Sequence, residues 1–482
     1  MFTEKKSAFR LKSCLKNYTL DQDKTVDPLT TVKNAMERFK NEHTLSHLRI
    51  EPRQDTIPGA YSYSSLSDQM SASGKGLTPE QSQASAIMEF AERYSWLHFD
   101  YKNYDGYTIK TYNEIKKCKI PTVDDSYFLG HFINLHNKAE LLEEIKNIPL
   151  KWLKGISLLN QKEFYYPLNW HNYTFTSNGL ATGNAIEEAI LQAMCEVIER
   201  ENVYRLFGDQ QIPNDVEIKS IRNLMIRLVL ENAKHSKIEI KIKNISFDFL
   251  IPTFVVYGIN KADKHGLTYQ GCGYGTHPNP EKALIRALSE YFEGYSLLKK
   301  IEKDVHIDWS KIIPRLPEKN FGFLALLRPE MLNKSSKTIQ MPDIPDLSQP
   351  DIKDEIEHIL KIMEKHKYNP ILLDKTSHHL KIPVVRIFIP GMRNLMVNET
   401  HNPHLIMSAA YYEAGDEKKS KEHLDSYYNN ISFYLPEVRL VTPKKAFKKD
   451  YKETILFHGG LKQDILDSLK NSIGILKNYR PY

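Results

Sequence analysis

The 482-residue sequence predicts an α+β fold in which three strand-turn-helix units surround one centre. Two observations lead to this prediction: three segments have the pattern of buried helices that carry glutamates, and a strand-like stretch with glycines precedes each of them. A third observation is a recurring pair of strands, whose second member opens with Ile-Pro in both NISFDFLIPTFVV and DKTSHHLKIPVVRIF. We therefore expect sheets to back helices whose charged faces point inward.

The first of these helices is predicted over SAIMEFAER. Ser85, Glu89 and Glu92 fall at i, i+4 and i+7, so they share one face, and Arg93 lies beside them. The other positions are apolar or aromatic nearly all round, which is typical of a buried helix. Buried carboxylates need a compensating cation, because an unpaired charge in a protein interior is costly.

The same offsets return in two later helices, QAMCEVIER and RALSEYFEG. The residues at these offsets are, in the second helix, Gln192, Glu196, Glu199 and Arg200 and, in the third helix, Arg286, Glu290 and Glu293. Corresponding glutamates are 107 and 94 residues apart, which is too far for a helical solenoid. The repeat therefore indicates large units folded around a shared site.

A glycine pair precedes each helix. The pairs are Gly74 and Gly76, Gly179 and Gly183, and Gly273 and Gly275. Glycine permits close approach to the backbone, and the start of a helix attracts anions. We expect Gly74, Gly76, Gly183 and Gly275 to let an anion approach the chain.

Composition excludes several classes of protein. Lys and Arg number 66 against 60 Asp and Glu, an excess too small and too dispersed to indicate a nucleic-acid partner. The four cysteines lie far apart without a CxxC motif, so neither a disulfide framework nor a zinc site is expected. No run of about 18 apolar residues occurs and the N-terminus lacks the apolar core of a signal peptide, so we expect a cytoplasmic protein without a membrane segment.

In chain order we predict three regions. Residues 1–54 form a basic arm and a helix over 28–45, residues 55–405 form the main domain, and residues 406–482 form a Lys-rich helical tail. Within the main domain we predict strands at 60–66 and in EFYYPLNW, the latter leading into the second helix. We also predict a helix over 218–233, strands in KIEIKIKNIS and IPTFVVYGI, a Pro- and Lys-rich loop region at about 300–352, and a helix over 352–366.

The repeated carboxylates favour Mg²⁺, since the set offers hard oxygen ligands and no imidazole or thiolate at comparable positions. The carboxylates considered are Glu89, Glu92, Glu188, Glu196, Glu199, Glu290 and Glu293. Lys75, Arg93, Arg200 and Arg286 are suited to phosphate, because cations compensate its charge and arginine binds it bidentately. No P-loop, kinase signature or Rossmann fingerprint is present, so the residues indicate a non-standard Mg-nucleotide site.

A structural role for the glutamates is the alternative. A single ExxER on a helix is usually a solvated or salt-bridged face, and a scaffold whose glutamates form only salt-bridge networks would use the same residues. Three copies on otherwise apolar helices favour function, because burial makes a purely structural role expensive.

The chain resembles the YcaO family in four motifs spread from about residue 55 to 405. They are SGKGLTPEQSQASAIMEFAERYS, SNGLATGNAIEEAILQAMCEVIERE, GYGTHPNPEKALIRALSE and IPVVRIFIPGM. The resemblance implies a YcaO-like fold over the main domain, with helices packed on β-sheets around a central Mg-nucleotide site. It also implies that ATP and Mg²⁺ are used to phosphorylate a peptide backbone amide oxygen, giving an azoline, a thioamide or an amidine.

The resemblance also implies site residues. By the resemblance, the ATP-binding positions fall on Lys75, Ser85, Asn184, Gln192, Arg286 and Glu290. We add Arg93 and Arg200 to this set, because their guanidinium groups are suited to phosphate. The Mg²⁺ carboxylates fall on Glu89, Glu92, Glu188, Glu196 and Glu199. No catalytic residue beyond the ATP and Mg²⁺ site is expected.

The sequence departs from the family pattern at two places. Ala181 stands where many members have a serine near the nucleotide, and the chain ends in KNYRPY rather than the PxPxP of azoline-forming members.

The lead-in FRLKSCLKNYTLDQDKTVDPLTTVKNAM resembles that of members that form thioamides with a TfuA-type partner. We expect a peptide or protein substrate, a TfuA-like or E1-like partner and a homodimer; the alternative is an ATP-binding accessory protein that assists modification of a ribosomal or other protein.

Overall fold

The computed structural model describes most of the chain. The described residues are 9–40, 47–53, 57–67, 70–104, 106–130, 132, 135, 137–264, 266–304, 329–394 and 403–434. The predicted tail beyond residue 434 and residues 305–328 of the loop region predicted at about 300–352 lie outside these ranges, whereas the described part of that region contains a short helix, Pro329–Asn333, and a short strand, Thr338–Ile339.

Strands and helices alternate along the described residues. The strands are β1 Arg49–Pro52, β2 Tyr61–Leu66, β3 Ser71–Gly76, β4 Thr108–Lys110, β5 Leu150–Ser157, β6 Glu163–Pro167, β7 Leu180–Thr182, β8 Asn214–Val216, β9 Ile238–Asn244, β10 Thr253–Asn260, β11 Gln270–Thr276, β12 Thr338–Ile339, β13 Ile371–Asp374 and β14 Val384–Phe388. The helices are α1 Pro28–Phe39, α2 Pro79–Leu97, α3 Tyr112–Lys116, α4 Ser126–Leu129, α5 Lys138–Lys146, α6 Leu168–Phe175, α7 Ile186–Phe207, α8 Leu224–His235, α9 Pro280–Asp304, α10 Pro329–Asn333, α11 Ile352–Lys365, α12 Pro403–Glu413 and α13 Glu417–Tyr434.

These strands form three sheets, and each sheet carries the strand of one repeated unit at its edge. The orders are β1-β2-β3, β11-β10-β9-β8-β12 and β4-β5-β13-β14-β7, with β6 paired to β5. The edge strands β3, β7 and β11 lead into helices α2, α7 and α9 respectively. The predicted α+β fold with strand-turn-helix repeats is therefore confirmed.

The glycines that precede the helices bring each edge strand against its own helix. A Cβ added at Gly74 would lie 2.0 Å from the amide nitrogen of Ala86, and one at Gly275 would lie 2.2 Å from the carbonyl oxygen of Ala283. Only glycine tolerates such an approach. Strand-to-helix packing thus accounts for these two residues, whereas the sequence had suggested that they make room for an anion.

Some predicted elements differ from the observed ones. EFYYP is a strand, β6, but it pairs with β5, and the strand that leads into α7 is Leu180–Thr182. The sequence between them forms α6, because its aromatic residues pack into the core. The helix predicted over 218–233 is a short 3₁₀ turn followed by α8, whose N-terminus is capped by the Asn223 side chain.

Other predicted elements are confirmed. KIEIKIKNIS and IPTFVVYGI form β9 and β10, which pair antiparallel with Phe254 opposite Asn244. Helix α11 ends one residue before the predicted limit, whereas α1 ends at Phe39, well before the predicted residue 45. In the part of the chain that the structure describes, no helix has both the length and the apolar character to cross a membrane.

Helix α7 lies at the middle of the core and positions the site. Eighteen of its 22 residues are buried. Its apolar side chains pack with β14 and α11 in one hydrophobic cluster, whereas its C-terminal end packs with β10 and β11 in another. The polar residues of α7 that do not take part in these clusters line an internal cavity, among them Gln192, Glu196 and Arg200.

Candidate functional site

A cavity of about 570 Å³ lies among α2, α7 and α9. All of the predicted site residues line it: Lys75, Ser85, Glu89, Glu92, Arg93, Asn184, Glu188, Gln192, Glu196, Glu199, Arg200, Arg286 and Glu290. Its volume is that of a small-molecule site. Three segments separated by about a hundred residues in sequence therefore meet around one space.

Helices α2 and α7 present the same charge arrangement to the cavity. On α2, the Arg93 guanidinium lies 3.5 Å from Glu89 and 3.4 Å from Glu92. On α7, the Arg200 guanidinium lies 3.3 Å from Glu199 and 4.0 Å from Glu196, its partner at i−4. The spacing that the sequence repeats thus places each arginine between two carboxylates.

Burial disfavours the charged form of these carboxylates. It raises the pKa of Glu92 to about 8, although Arg93 opposes the shift, and it raises the pKa of Glu199 to about 7 against Arg200. The pKa of Glu196 is also raised by burial. Such groups gain when a cation enters, because a metal ion stabilises their ionised form.

Strand β3 supplies a lysine to the third helix. Lys75 Nζ donates a hydrogen bond of 2.8 Å to Glu290 Oε2 and lies 3.9 Å from Glu293. Burial would raise the pKa of Glu290, but Lys75 and Arg200 outweigh it, so this carboxyl stays ionised with its pKa below the usual value. Glu293 accepts a hydrogen bond of 2.5 Å from Ser73 and so is engaged at the same edge.

An arginine donor in the cavity lacks a partner. Arg286 Nη1 donates to Gln192 Oε1 at 2.6 Å, which joins α9 to α7. Its Nε is buried and makes no hydrogen bond within the described part of the chain. A buried guanidinium N–H without an acceptor is costly, so an anionic oxygen at this point would satisfy it.

Asn184 and Glu188 lie at the start of α7. Glu188 Oε2 accepts hydrogen bonds from the Asn184 amide nitrogen at 2.9 Å and from Asn184 Nδ2 at 3.2 Å. Glu188 Oε1 accepts from the Thr25 amide. Ser85 lines the cavity from α2. Asn184 and Glu188 are therefore held together, and both face the cavity.

The sequence did not identify the residues that the N-terminal arm contributes. Asp21, Asp23 and Lys24 line the cavity, although the arm precedes the first repeat by about fifty residues. Lys24 Nζ lies 3.9 Å from Glu188 Oε2. No spacing within the arm indicated this contact, since its partners come from distant parts of the chain. His277, which lies just before α9, is buried and also lines the cavity.

The donor set fits Mg²⁺ together with a nucleotide phosphate. Among the described residues no group of three or more His, Cys, Asp or Glu side chains is arranged to hold a metal ion by itself. Mg²⁺ does not need such a group, because it is usually bound through one or two carboxylates plus substrate phosphates. Two walls of the cavity offer carboxylates beside arginines, and Arg286 offers a free donor. These residues thus provide both metal ligands and phosphate partners.

An α+β protein whose cavity is lined by carboxylates, arginines and a lysine is suited to bind an anionic ligand together with a divalent cation. Comparison with known families identifies the family of this chain. Residues 73–393 match the family model for YcaO cyclodehydratase, which is described as ATP- and Mg²⁺-binding. The match spans more than half of the chain, so the chain belongs to the YcaO family. ATP and Mg²⁺ are accordingly its cofactors.

Several individual proteins are also similar. An uncharacterized protein of Methanothermobacter thermautotrophicus is 25% identical over 342 residues, covering 67% of this chain and 82% of that protein. An uncharacterized protein in the tfuA 3′ region of Rhizobium leguminosarum bv. trifolii is 25% identical over 178 residues, covering 33% of this chain and 42% of that protein.

Two solved structures share the fold. A heterocyclase in complex with substrate and cofactor matches with a TM-score of 0.64 and 21% identity, covering 80% of this chain and 55% of that one. YcaO from Methanopyrus kandleri bound with AMPPCP and Mg²⁺ matches with a TM-score of 0.59 and 18% identity, covering 81% of this chain and 98% of that one. Family membership and fold together support ATP-dependent modification of backbone amides in general.

Proposed function

We propose that this chain uses ATP and Mg²⁺ to phosphorylate a backbone amide oxygen of a peptide or protein, yielding a thioamide or an azoline. The observation that carries the proposal is the meeting of α2, α7 and α9 around one cavity, with buried or partly buried glutamates beside arginines on two walls and an unpartnered Arg286 Nε.

The chemistry explains why such a cavity is useful. ATP supplies a phosphoryl group that turns an amide oxygen into a leaving group once a nucleophile has added to the carbonyl carbon. Phosphoryl transfer depends mainly on positioning and charge stabilisation. In this chain Arg286 and Lys75 would hold phosphate oxygens. Glu89, Glu92, Glu188, Glu196 and Glu199 would hold Mg²⁺.

We favour the thioamide product with a TfuA-like partner. The arm sequence supports it, and so does the relative that is encoded in the tfuA 3′ region of R. leguminosarum. An azoline is the alternative product, and an ATP-binding accessory role is the alternative function. We also propose a cytoplasmic location and a homodimer, the latter to be measured by light scattering of the purified chain.

The direct test follows the amide oxygen. A candidate peptide carrying ¹⁸O in its backbone carbonyls is incubated with the chain, the partner protein, ATP, Mg²⁺ and a sulfide source. Transfer of the label to inorganic phosphate, with loss of one ¹⁸O atom and gain of one sulfur atom in the peptide, would support the proposal. ATP hydrolysis that leaves the peptide unchanged and the phosphate unlabelled would support the accessory role instead.

A further inference from the structure

The N-terminal arm joins the starts of the three repeated helices. We call residues 12–27 the arm strap. It contacts α2 through Gln81, whose side chain donates to a strap carbonyl at 3.0 Å, and α7 through Glu188, which accepts from a strap amide. It contacts α9 through Lys282. One segment therefore crosses the first turns of all three helices at the edge of the cavity.

Asp23 anchors the arm strap. Its carboxylate is buried, lies 2.9 Å from Lys16 Nζ and 3.6 Å from His277 Nε2, and pairs with Lys282 Nζ. Burial, helped by the nearby charge of Arg286 and the lysines, holds the pKa of His277 well below its usual range, so this imidazole is neutral at pH 7. The two lysines therefore balance Asp23, and removing its charge would leave the partly buried Lys282 uncompensated.

The arm strap also orients a predicted metal ligand. Thr25 follows Asp23 by two residues, and its amide donates to Glu188 Oε1, while Asn184 holds the other carboxylate oxygen. The side chain of Glu188 is only 1% exposed. Residues that hold a metal ligand in place commonly change metal affinity by about 10- to 100-fold when they are removed.

We propose that Asp23 is a positioning residue of the nucleotide site: it fixes the arm strap, whose Thr25 amide holds the Glu188 carboxylate in the orientation that binds Mg²⁺. The inference rests on the proposed function, since Glu188 must serve the metal. By reciprocity, binding of nucleotide with Mg²⁺ slows amide exchange in residues 12–27.

The test measures how much Mg²⁺ the full-length chain needs to bind AMPPCP, by calorimetry at a series of Mg²⁺ concentrations. We expect Asp23→Asn to raise the Mg²⁺ concentration for half-maximal binding by about 10-fold. The matched control is Ser13→Ala, which removes another arm contact, the exposed 2.5 Å hydrogen bond to Asp351, and leaves the Mg²⁺ dependence as in the native chain.

A second pair of variants keeps the inference testable if Asp23→Asn fails to fold. Thr25→Pro removes the amide donor to Glu188, whereas Thr25→Ala keeps it, so the Mg²⁺ requirement should rise more in the first than in the second. Native Mg²⁺ dependence in Asp23→Asn and Thr25→Pro would overturn the inference alone. A folded native chain that binds no AMPPCP would refute the proposed function, and this inference with it.

Discussion

Replacing Arg286 by lysine separates the geometry of the guanidinium from its charge. The buried Nε–H of Arg286 has no acceptor in the described part of the chain, while Nη1 reaches Gln192 at 2.6 Å. If a phosphate oxygen accepts from Nε, that charge-assisted bond contributes about 1.5–3 kcal/mol to nucleotide binding. We therefore expect Arg286→Lys to weaken AMPPCP binding by about 10- to 150-fold at saturating Mg²⁺.

The same substitution removes the unsatisfied Nε–H and also the Nη1 hydrogen bond to Gln192, so we expect the free protein to lose about 0.5–1.5 kcal/mol of stability. Calorimetric titration gives the affinity, and thermal unfolding without nucleotide gives the stability. Arg227→Lys, an exposed exchange on α8, is the control for both measurements. Native affinity in folded Arg286→Lys would refute the assignment of Arg286 Nε to a phosphate, whereas lower stability with unchanged affinity would indicate a structural role.

Two further predictions concern pH and packing. Affinity for AMPPCP with Mg²⁺ should rise from pH 6 to pH 9, because Glu199 and Glu92 ionise near pH 7 and pH 8. The rise should reach up to about tenfold per pH unit for each proton that is released on binding. An affinity that does not change with pH would contradict this prediction. Since these pKa values are raised on folding, their contribution to stability should fall as pH rises from about 4.5 to 8. Gly74→Ala should lower the free energy of unfolding by about 1–3 kcal/mol in urea titrations, because its Cβ would lie 2.0 Å from the Ala86 nitrogen, and unchanged stability would refute that account.

The repeated helices and their inward faces were predictable because the evidence is local. The i, i+3 and i+4 offsets of Glu89, Glu92 and Arg93 determine which side chains share a face whatever the rest of the chain does. The recurrence of the pattern then predicted that distant segments meet. The residues that the sequence selected do meet around the cavity, whereas their roles toward ATP and Mg²⁺ stay predictions.

The parts that the sequence missed depend on contacts between distant residues. Thr25 meets Glu188 across 163 positions, and Asp23 meets Lys282 across 259, and neither pair leaves a periodic signal. The role of Gly74 was ambiguous for a related reason. A glycine before a helix fits either an anion or a close neighbour, and only the packed structure shows that Gly74 faces the backbone of α2.

The central claim is that MgATP binds among the three repeated helices. The most direct test is calorimetric titration of the full-length chain with AMPPCP, with and without Mg²⁺, for the native sequence and for Glu196→Gln. We predict binding by the native chain that requires Mg²⁺ and that falls sharply in Glu196→Gln, a near-isosteric change that removes one carboxylate charge. Equal binding by the two folded proteins, or binding that does not need Mg²⁺, would contradict the claim.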